Sequence, residues 1–449
     1  MSYASAILIY SFGLIISKLI GLLMQPFVTS QLGIENYARL DILIVTSSIA
    51  SIVVTFGLID GICRFAHDKK YRQDDCLSTA MGLVFWGGGL FTSIALLNGH
   101  VIQQLLPGSP PLWALYLTFI NLYLNALAAI PLTKLRMQHR PIKFAIAQAV
   151  FAITQAIGII VLIPRFQVTG IFIAAVASQL LQLIILYRDL PNLKLIYSSI
   201  FIRYGSSIML SGVLGFICLG AERWAIAYYL GLEFLTPYAI AMQWAIAASL
   251  LLEPFSLWWF PKRFNLLKNE KLLADITILG CQICVLICAI VTMLGPLFLR
   301  FWLSASFSQS ANLIGLIAIM VMFKGISTLL NIGCYYQASG QRIVQINLVA
   351  TGLSIINIFI ILPVFGLLGI IWGSIVIQAI KVFAFYYWSQ KELPLPYPLY
   401  RLFIALMLLA CIFASSTLIL IQALLLILLI GLIITPFFFT RTSYRSNTA

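Results

Sequence analysis

The chain has 449 residues, of which 62% are apolar and only 9% are charged, and its mean hydropathy is +1.04. Soluble domains are roughly half apolar and a quarter charged, so this composition excludes a soluble fold as well as disordered, collagenous and disulfide-stapled chains. The net charge of +14 therefore indicates basic loops in a membrane protein rather than a nucleic-acid site. The apolar residues form unbroken runs, which disfavours a transmembrane β-barrel.

Apolar runs long enough to cross a membrane follow one another along the whole chain. A spanning helix needs about 20 such residues, and we predict fourteen spans, at 4–29, 38–66, 77–98, 109–133, 142–163, 168–187, 203–230, 237–260, 274–299, 310–333, 343–363, 366–388, 401–416 and 418–439. The first run lacks a basic start, so we expect a retained span rather than a cleaved signal. The last two are divided by a predicted turn at residues 415–417.

The basic residues of the loops predict the orientation of the chain. Loops after even-numbered spans, together with the C-terminal tail, hold 18 basic residues, whereas loops after odd-numbered spans hold only Arg39, Arg165 and Arg300. Basic loops stay in the cytoplasm, so both termini are predicted to be cytoplasmic.

The loops are too short for a water-facing catalytic domain, and no P-loop, HExxH or Ser-His-Asp pattern occurs. We therefore expect no enzyme activity and no catalytic, cofactor or metal site. Cys281, Cys284 and Cys288 share one apolar run without a nearby histidine. We interpret these cysteines as packing residues rather than zinc ligands.

An internal repeat relates the two halves of the chain. Residues 163–171 resemble residues 362–370 at a shift of 199, and Arg64-Phe65 matches Arg263-Phe264 at the same shift. Near the front, the Leu-Gly-Ile-Glu of 32–35 resembles the Leu-Gly-Leu-Glu found 198 residues later. The shift covers six predicted helices, which is an even number, so the two copies have the same orientation in the membrane.

The repeat and the spans together predict an all-α integral membrane protein with about 14 transmembrane helices. Two parallel six-helix lobes, residues 1–199 and 200–398, would surround a central cavity, and residues 399–449 would add two helices and a cytoplasmic tail. Such lobes can rock to open a cavity to either side of the membrane, which is typical of a transporter.

Charged side chains inside the predicted spans are candidate site residues, because a mid-membrane charge costs about 2.5–3.5 kcal/mol on insertion scales unless it faces a cavity or a partner. Lys18 and Lys324 lie near the middle of their spans. A cavity lined by these cations would suit an anionic group such as a phosphate. A buried interhelical pair is the alternative interpretation for both lysines.

Other charges in the spans also have two interpretations. Asp60 and Arg64 could form an ordinary i,i+4 ion pair. Arg64 and Arg263 could be interfacial anchors, and Lys381 could extend its ammonium group to the membrane surface. Glu222 and Arg223 are adjacent in sequence, so their side chains point in different directions and cannot simply pair on one face.

Several short motifs resemble those of bacterial polysaccharide flippases of the Wzx type, which belong to the multidrug/oligosaccharidyl-lipid/polysaccharide exporter superfamily. The motifs cover most of residues 1–390 and are Gln25-Pro26-Phe27, Leu32-Gly33-Ile34-Glu35-Asn36-Tyr37-Ala38, Gly57-Leu58 with Arg64-Phe65, Arg203-Tyr204-Gly205, Ser211-Gly212, Glu222-Arg223, Tyr335-Tyr336, and Asn357 with Pro363 and Phe365. Glu222 departs from the family, which more often has Asp at this position.

The resemblance implies transport of an undecaprenyl-pyrophosphate-linked oligosaccharide from the cytoplasmic to the periplasmic leaflet by alternating access. The product would be an O-antigen of lipopolysaccharide, a capsule or an exopolysaccharide. It also implies a location in the bacterial inner membrane, with membrane lipids, a polysaccharide polymerase and chain-length proteins as partners, and no nucleic acid.

The resemblance places the pyrophosphate at cations in the cavity. The predicted substrate-binding residues are Lys18, Arg64 and Arg223, to which Lys324 is added because of its depth in the membrane. Asp60, Glu222 and Glu253 are candidates for ion coupling only because they are acidic and lie within spans.

Two other functions remain open on the sequence alone. A cation-coupled multidrug exporter of the same superfamily should have an acidic cavity and usually twelve helices, so the mid-membrane lysines and two extra helices disfavour it. A membrane polysaccharide polymerase or glycosyltransferase usually carries a long outer loop. The short, acid-poor outer loops of this chain disfavour that class.

Overall fold

The computed structural model describes residues 20–66, 70–263, 266–267, 269–336, 341–415 and 418–446, and the regular elements in this part of the chain are all helical. Within these described ranges, nine stretches are long and apolar enough to cross a membrane, and two shorter apolar helices follow at Leu399–Ala414 and Ile419–Ile433. The predicted class, an all-α integral membrane protein, is confirmed.

The chain forms two compact units, which we call unit 1 (Met1–Glu233) and unit 2 (Phe234–Ala449). The helices up to the end of unit 1 are α1 Gln25–Thr55, α2 Leu58–Phe65, α3 Gln73–Leu83, α4 Gly89–Leu97, α5 Gly99–Leu105, α6 Leu112–Met137, α7 Pro141–Leu186, α8 Ser198–Leu219 and α9 Glu222–Tyr229. The remaining helices are α10 Leu232–Ser249, α11 Glu253–Lys262, α12 Glu270–Trp302, α13 Ser308–Leu329, α14 Ile332–Tyr336, α15 Gln341–Ile356, α16 Leu362–Glu392, α17 Leu399–Ala414 and α18 Ile419–Ser446.

Each unit has its own packing core. In unit 1, α1, α6 and α7 pack together, and α8 lies against α1, α2 and α3. In unit 2, α12 and α13 pack against each other, α16 joins α13, and the C-terminal helices α17 and α18 pack on α12. The lobe boundaries that the repeat predicts, after residues 199 and 398, stay a prediction.

The long helix α7 is a hairpin rather than one straight rod. Its backbone leaves the helical conformation at Gln167, with φ 49° and ψ −126°. Gly158 lies against Ala174, and Gly170 lies against the carbonyl of Leu162, so the two arms run antiparallel. The predicted spans 142–163 and 168–187 correspond to these arms.

Unit 2 contains an equivalent helical hairpin 199 residues later in the chain. The backbone reverses at Gly366, with φ 64° and ψ −154°. The Asn357 side chain donates hydrogen bonds across the hairpin to the Ile370 carbonyl at 3.0 Å and to Ser374 Oγ at 3.1 Å. The arms match the predicted spans 343–363 and 366–388, and a buried amide fastens them near the turn.

The open ends of the two hairpins are packed by equivalent residues. A small buried core in unit 1 and another in unit 2 use positions that differ by 199. The matching pairs are Leu135 with Cys334, Phe144 with Ile343, Ala147 with Ile346, and Leu186 with Phe385. The sequence repeat therefore has a counterpart in side-chain packing within each unit.

Some predicted spans are interrupted, and close helix packing explains one interruption. The span predicted at 38–66 breaks at Phe56 and Gly57, which have φ values of 47° and 63°. A Cβ atom on Gly57 would lie 2.7 Å from Ile208 of α8. Glycine therefore permits both the turn between α1 and α2 and the close approach of α8.

We expect Gly366→Ala to lower the free energy of unfolding by about 1–3 kcal/mol, because alanine is strained in this backbone conformation. The cost is conformational, since no neighbouring atom lies within 4 Å of the added Cβ. Gly352→Ala on α15 is the matched control, because its Cβ also points into open space, and it should leave stability unchanged or slightly higher. Thermal unfolding of both full-length variants in detergent checks the prediction, which equal melting temperatures would contradict.

Candidate functional site

A buried ion pair joins α1 to α9 inside unit 1. Arg223 Nη1 lies 2.9 Å from Asp41 Oδ1, and the two side chains are only 14% and 9% exposed. Removing two charges from water costs several kcal/mol per ion unless each finds a partner. The pair therefore holds two distant parts of the chain together and neutralises both charges in the state described.

Tyr37 lies close enough to this pair to interact electrostatically with both of its members. Tyr37, one helical turn before Asp41, accepts a hydrogen bond from Gln25 Nε2 at 3.0 Å across the break in α1. Glu222 precedes Arg223 and is 4% exposed. We call these five residues, Gln25, Tyr37, Asp41, Glu222 and Arg223, the charge cluster of unit 1.

The local sequence explains how Glu222 and Arg223 reach this position. Helix α8 ends at Leu219, and the chain turns at Gly220 and Ala221 before α9 begins. Glu222 is the first residue of α9, where a carboxylate is favoured by the exposed backbone N–H groups of a helix start. The turn thus places Glu222 and Arg223 at the start of α9, which packs against α1.

Arg64 lies outside the charge cluster, in an aromatic environment. It is exposed at the end of α2, and its guanidinium carbon is 4.8 Å from the centre of the Tyr204 ring, a cation–π distance. Asp60 is exposed in the first turn of the same helix. Among the ion pairs of the described residues, none joins Asp60 to Arg64, so the i,i+4 interpretation is not seen.

Unit 2 brings two lysines together within predicted spans. Lys324 is exposed in the last third of α13, which packs against α16. Lys381 of α16 is close enough to interact electrostatically with Lys324, and the two charges have the same sign. One turn before Lys381, the Gln378 side-chain oxygen is buried and has no hydrogen-bond partner in the described part of the chain. This arrangement places two like charges close together within unit 2.

The structure places the other predicted residues as follows. Glu253 is exposed at the start of α11, and Lys18 lies outside the described residues. The binding and coupling roles assigned to all seven residues stay predictions. Among the described residues, no group of three His, Cys, Asp or Glu side chains could hold a metal ion, and Cys281, Cys284 and Cys288 are buried free thiols.

Asp41 is the residue that sequence reasoning missed. It stands near the start of a predicted span, where a charge draws little attention because such positions often face water. The available signal was the apolar run that follows it directly, residues 42–45. Its partner lies 182 residues away, which no helical periodicity could indicate.

Several solved membrane-protein structures resemble this fold. Neither a family model nor a curated protein matches the chain. The structure of the lipid II flippase MurJ in an inward closed conformation aligns with a TM-score of 0.72 and 15% identity, over 97% of this chain and 100% of that chain. An inward-facing multidrug resistance MATE family transporter aligns with a TM-score of 0.65 and 14% identity, over 86% of this chain and 98% of that one.

A third similar structure is a transporter of the MOP superfamily from Pyrococcus furiosus, with a TM-score of 0.58 and 14% identity, covering 86% of this chain and 95% of that chain. Together these similarities show the class of fold: a multi-pass, all-helical membrane protein with the architecture of MOP superfamily transporters. Within that class, the two particular folds most similar among these three are those of MurJ and the inward-facing MATE transporter.

Proposed function

We propose that this protein is a flippase that moves an undecaprenyl-pyrophosphate-linked oligosaccharide from the cytoplasmic to the periplasmic leaflet by alternating access, for surface polysaccharide biosynthesis. The main support is the extent of the structural match. The lipid II flippase aligns over 97% of this chain, whereas the MATE transporter aligns over 86%. A flippase-like architecture thus accounts for nearly all of the chain.

The cations within the spans provide the chemical support. A pyrophosphate carries several negative charges, and cations attract it strongly where water is scarce. We assign its binding to Lys18, Arg64, Arg223 and Lys324. Lys324 lies near the like charge of Lys381, so a bound anion would reduce the repulsion between these two lysines.

Arg223 requires a different step, because Asp41 already holds its guanidinium. In our proposal the substrate phosphate replaces the Asp41 carboxylate as the partner of Arg223. Binding would then weaken the link between α1 and α9. This exchange couples occupancy of the site to the packing of the helices that form it.

Burial separates the candidates for ion coupling. A residue that couples transport to a proton or sodium ion must change its charge state in a protected place. Glu222 is buried, whereas Asp60 and Glu253 are exposed. We therefore favour Glu222, beside Arg223, over the other two acids.

The proposal predicts that Lys18→Ala and Arg223→Ala cause lipid-linked repeat units to accumulate on the cytoplasmic side, because the pyrophosphate loses its cationic partners. Surface polysaccharide should fall in parallel. Lys271→Ala, at an exposed position at the start of α12, is the control and should leave both quantities unchanged. A polymerase deletion should instead leave lipid-linked units on the periplasmic side. Normal polysaccharide together with a normal lipid-linked pool in the Lys18 and Arg223 variants would argue against the assignment.

A cation-coupled multidrug exporter is the second candidate. The alignment with the MATE transporter covers 98% of that chain, and the buried acid Glu222 is a group that can attract a cationic drug. Drug-susceptibility profiles of a deletion strain separate the two functions. Greater sensitivity to cationic drugs with an unchanged lipid-linked pool would favour the exporter, and sugar transfer by the purified protein would instead favour a polymerase.

A further inference from the structure

At the open end of each hairpin, two residues at equivalent positions contact each other. The residue types that form this contact differ between the two units. In unit 1, Lys143 forms an ion pair with Asp189, and Arg140 Nη1 lies 3.7 Å from the other oxygen of the same carboxylate. Asp189 is 4% exposed. One buried acid therefore neutralises part of the positive charge at this end of the hairpin.

Arg342 and Trp388 occupy the positions 199 residues after Lys143 and Asp189. They contact each other as their counterparts do, with the guanidinium carbon 4.2 Å from the indole ring centre. Lys391 adds a second cation, 5.1 Å from the same ring. The contact is therefore present in both units, with an acid as the partner of the cation in unit 1 and an aromatic ring in unit 2.

Arg342 and Lys391 consequently remain positively charged groups that can bind an anion. Arg342 donates a hydrogen bond to the neutral Gln345 side chain at 3.0 Å. Glu392 is the adjacent acid, and no ion pair within the described residues joins it to Arg342 or Lys391. A phosphate could thus accept hydrogen bonds from both cations without displacing a carboxylate.

An exposed apolar stripe leads along α16 to this cationic end. Its members recur at helical spacing and are between 43% and 69% exposed: Trp372, Val376, Ile380, Phe383 and Tyr387. The stripe provides a surface for an acyl chain. Its end carries Trp and Tyr together with basic residues, which is typical of a membrane–water interface.

We propose that Arg342, Trp388 and Lys391 bind the phosphate headgroup of an anionic phospholipid in the predicted cytoplasmic leaflet, with an acyl chain along the α16 stripe. Arginine recognises phosphate oxygens through two parallel N–H groups. The ring of Trp388 holds both cations at one place. In unit 1, Asp189 closes the equivalent position to anions. This lipid is a bound neighbour rather than the transported cargo, so the inference does not depend on the proposed function.

Native mass spectrometry of the full-length protein in an uncharged detergent tests the proposal by titration with phosphatidylglycerol and phosphatidylcholine. The protein should bind phosphatidylglycerol more tightly, and the double variant Arg342→Gln/Lys391→Gln should weaken that binding about thirtyfold, because each cation near the surface contributes attraction to anionic lipid. Unchanged phosphatidylglycerol binding in the double variant would overturn the proposal. Displacement of the lipid by millimolar inorganic phosphate would reassign the site to free phosphate.

A second variant introduces the acid of unit 1 at the equivalent position of unit 2. Trp388→Asp should also weaken phosphatidylglycerol binding, because the new carboxylate would neutralise Arg342 and Lys391 as Asp189 neutralises its cations. Arg188→Gln removes an exposed cation near Asp189 in unit 1 and is the matched control, which should bind as the unaltered protein does. The glutamine double variant keeps the test valid if Trp388→Asp fails to fold, and equal loss of lipid in Arg188→Gln would refute the assignment to unit 2.

Discussion

Arg223→Gln is expected to lower the free energy of unfolding by about 3–5 kcal/mol, because it leaves the Asp41 carboxylate buried without its cation. The two charged groups are 2.9 Å apart and almost fully shielded, so water cannot readily take the place of the guanidinium. Unfolding of the purified full-length protein by heat or denaturant in detergent measures the change. A variant as stable as the unaltered protein would show that the pair contributes nothing to stability.

The double variant Asp41→Asn/Arg223→Gln separates stability from function. It replaces both charged groups with neutral amides, so no buried charge is left without a partner and most of the lost stability should return. Transport should remain defective, because the substrate phosphate has lost the guanidinium that we assign to it. Recovery of both stability and transport would show that Arg223 is purely structural.

Lys324→Gln is expected to weaken binding of a pyrophosphate-linked lipid by about tenfold to a hundredfold, the equivalent of one charge-assisted hydrogen bond. The loss should appear in binding to the purified protein and as reduced flipping in reconstituted vesicles. Stability should stay unchanged or rise, because Lys324 is exposed and the nearby Lys381 repels it. This combination distinguishes Lys324 from Arg223, whose loss should reduce both properties.

Two further variants make the test of Lys324 more specific. Lys324→Arg keeps the charge and should retain most of the binding. Lys381→Gln should weaken binding in the same direction if both lysines contact the anion. Binding that survives in both glutamine variants would exclude this part of unit 2 from the substrate site and leave the proposed function to depend on unit 1.

The helical class was predictable because membrane-spanning helices appear in the sequence as continuous apolar runs. The chain reversals near residues 164–167 and 363–366 were also predictable, since each follows a proline within a short break in the apolar pattern. The shift of 199 correctly pointed to equivalent features, including the positive φ values of Gln167 and Gly366. Local sequence therefore indicated these two reversals, although it did not indicate the break at Phe56 and Gly57.

The partners of the charged residues were not predictable, because they depend on contacts between distant helices. The spacing of Asp60 and Arg64 was compatible with an ion pair, yet Arg64 lies over the ring of Tyr204 on α8. Arg223 was identified as a candidate without its partner Asp41. Periodicity describes one helix at a time and contains no information about which neighbour will face it.

The position of α9 has a consequence for the history of the chain. By the sequence repeat, Arg223 belongs to the second copy, but it bonds to Asp41 of the first copy within unit 1. A residue of the second predicted copy thus neutralises a buried charge of the first. A charge-changing substitution at either residue would therefore need a compensating change 182 residues away in the chain.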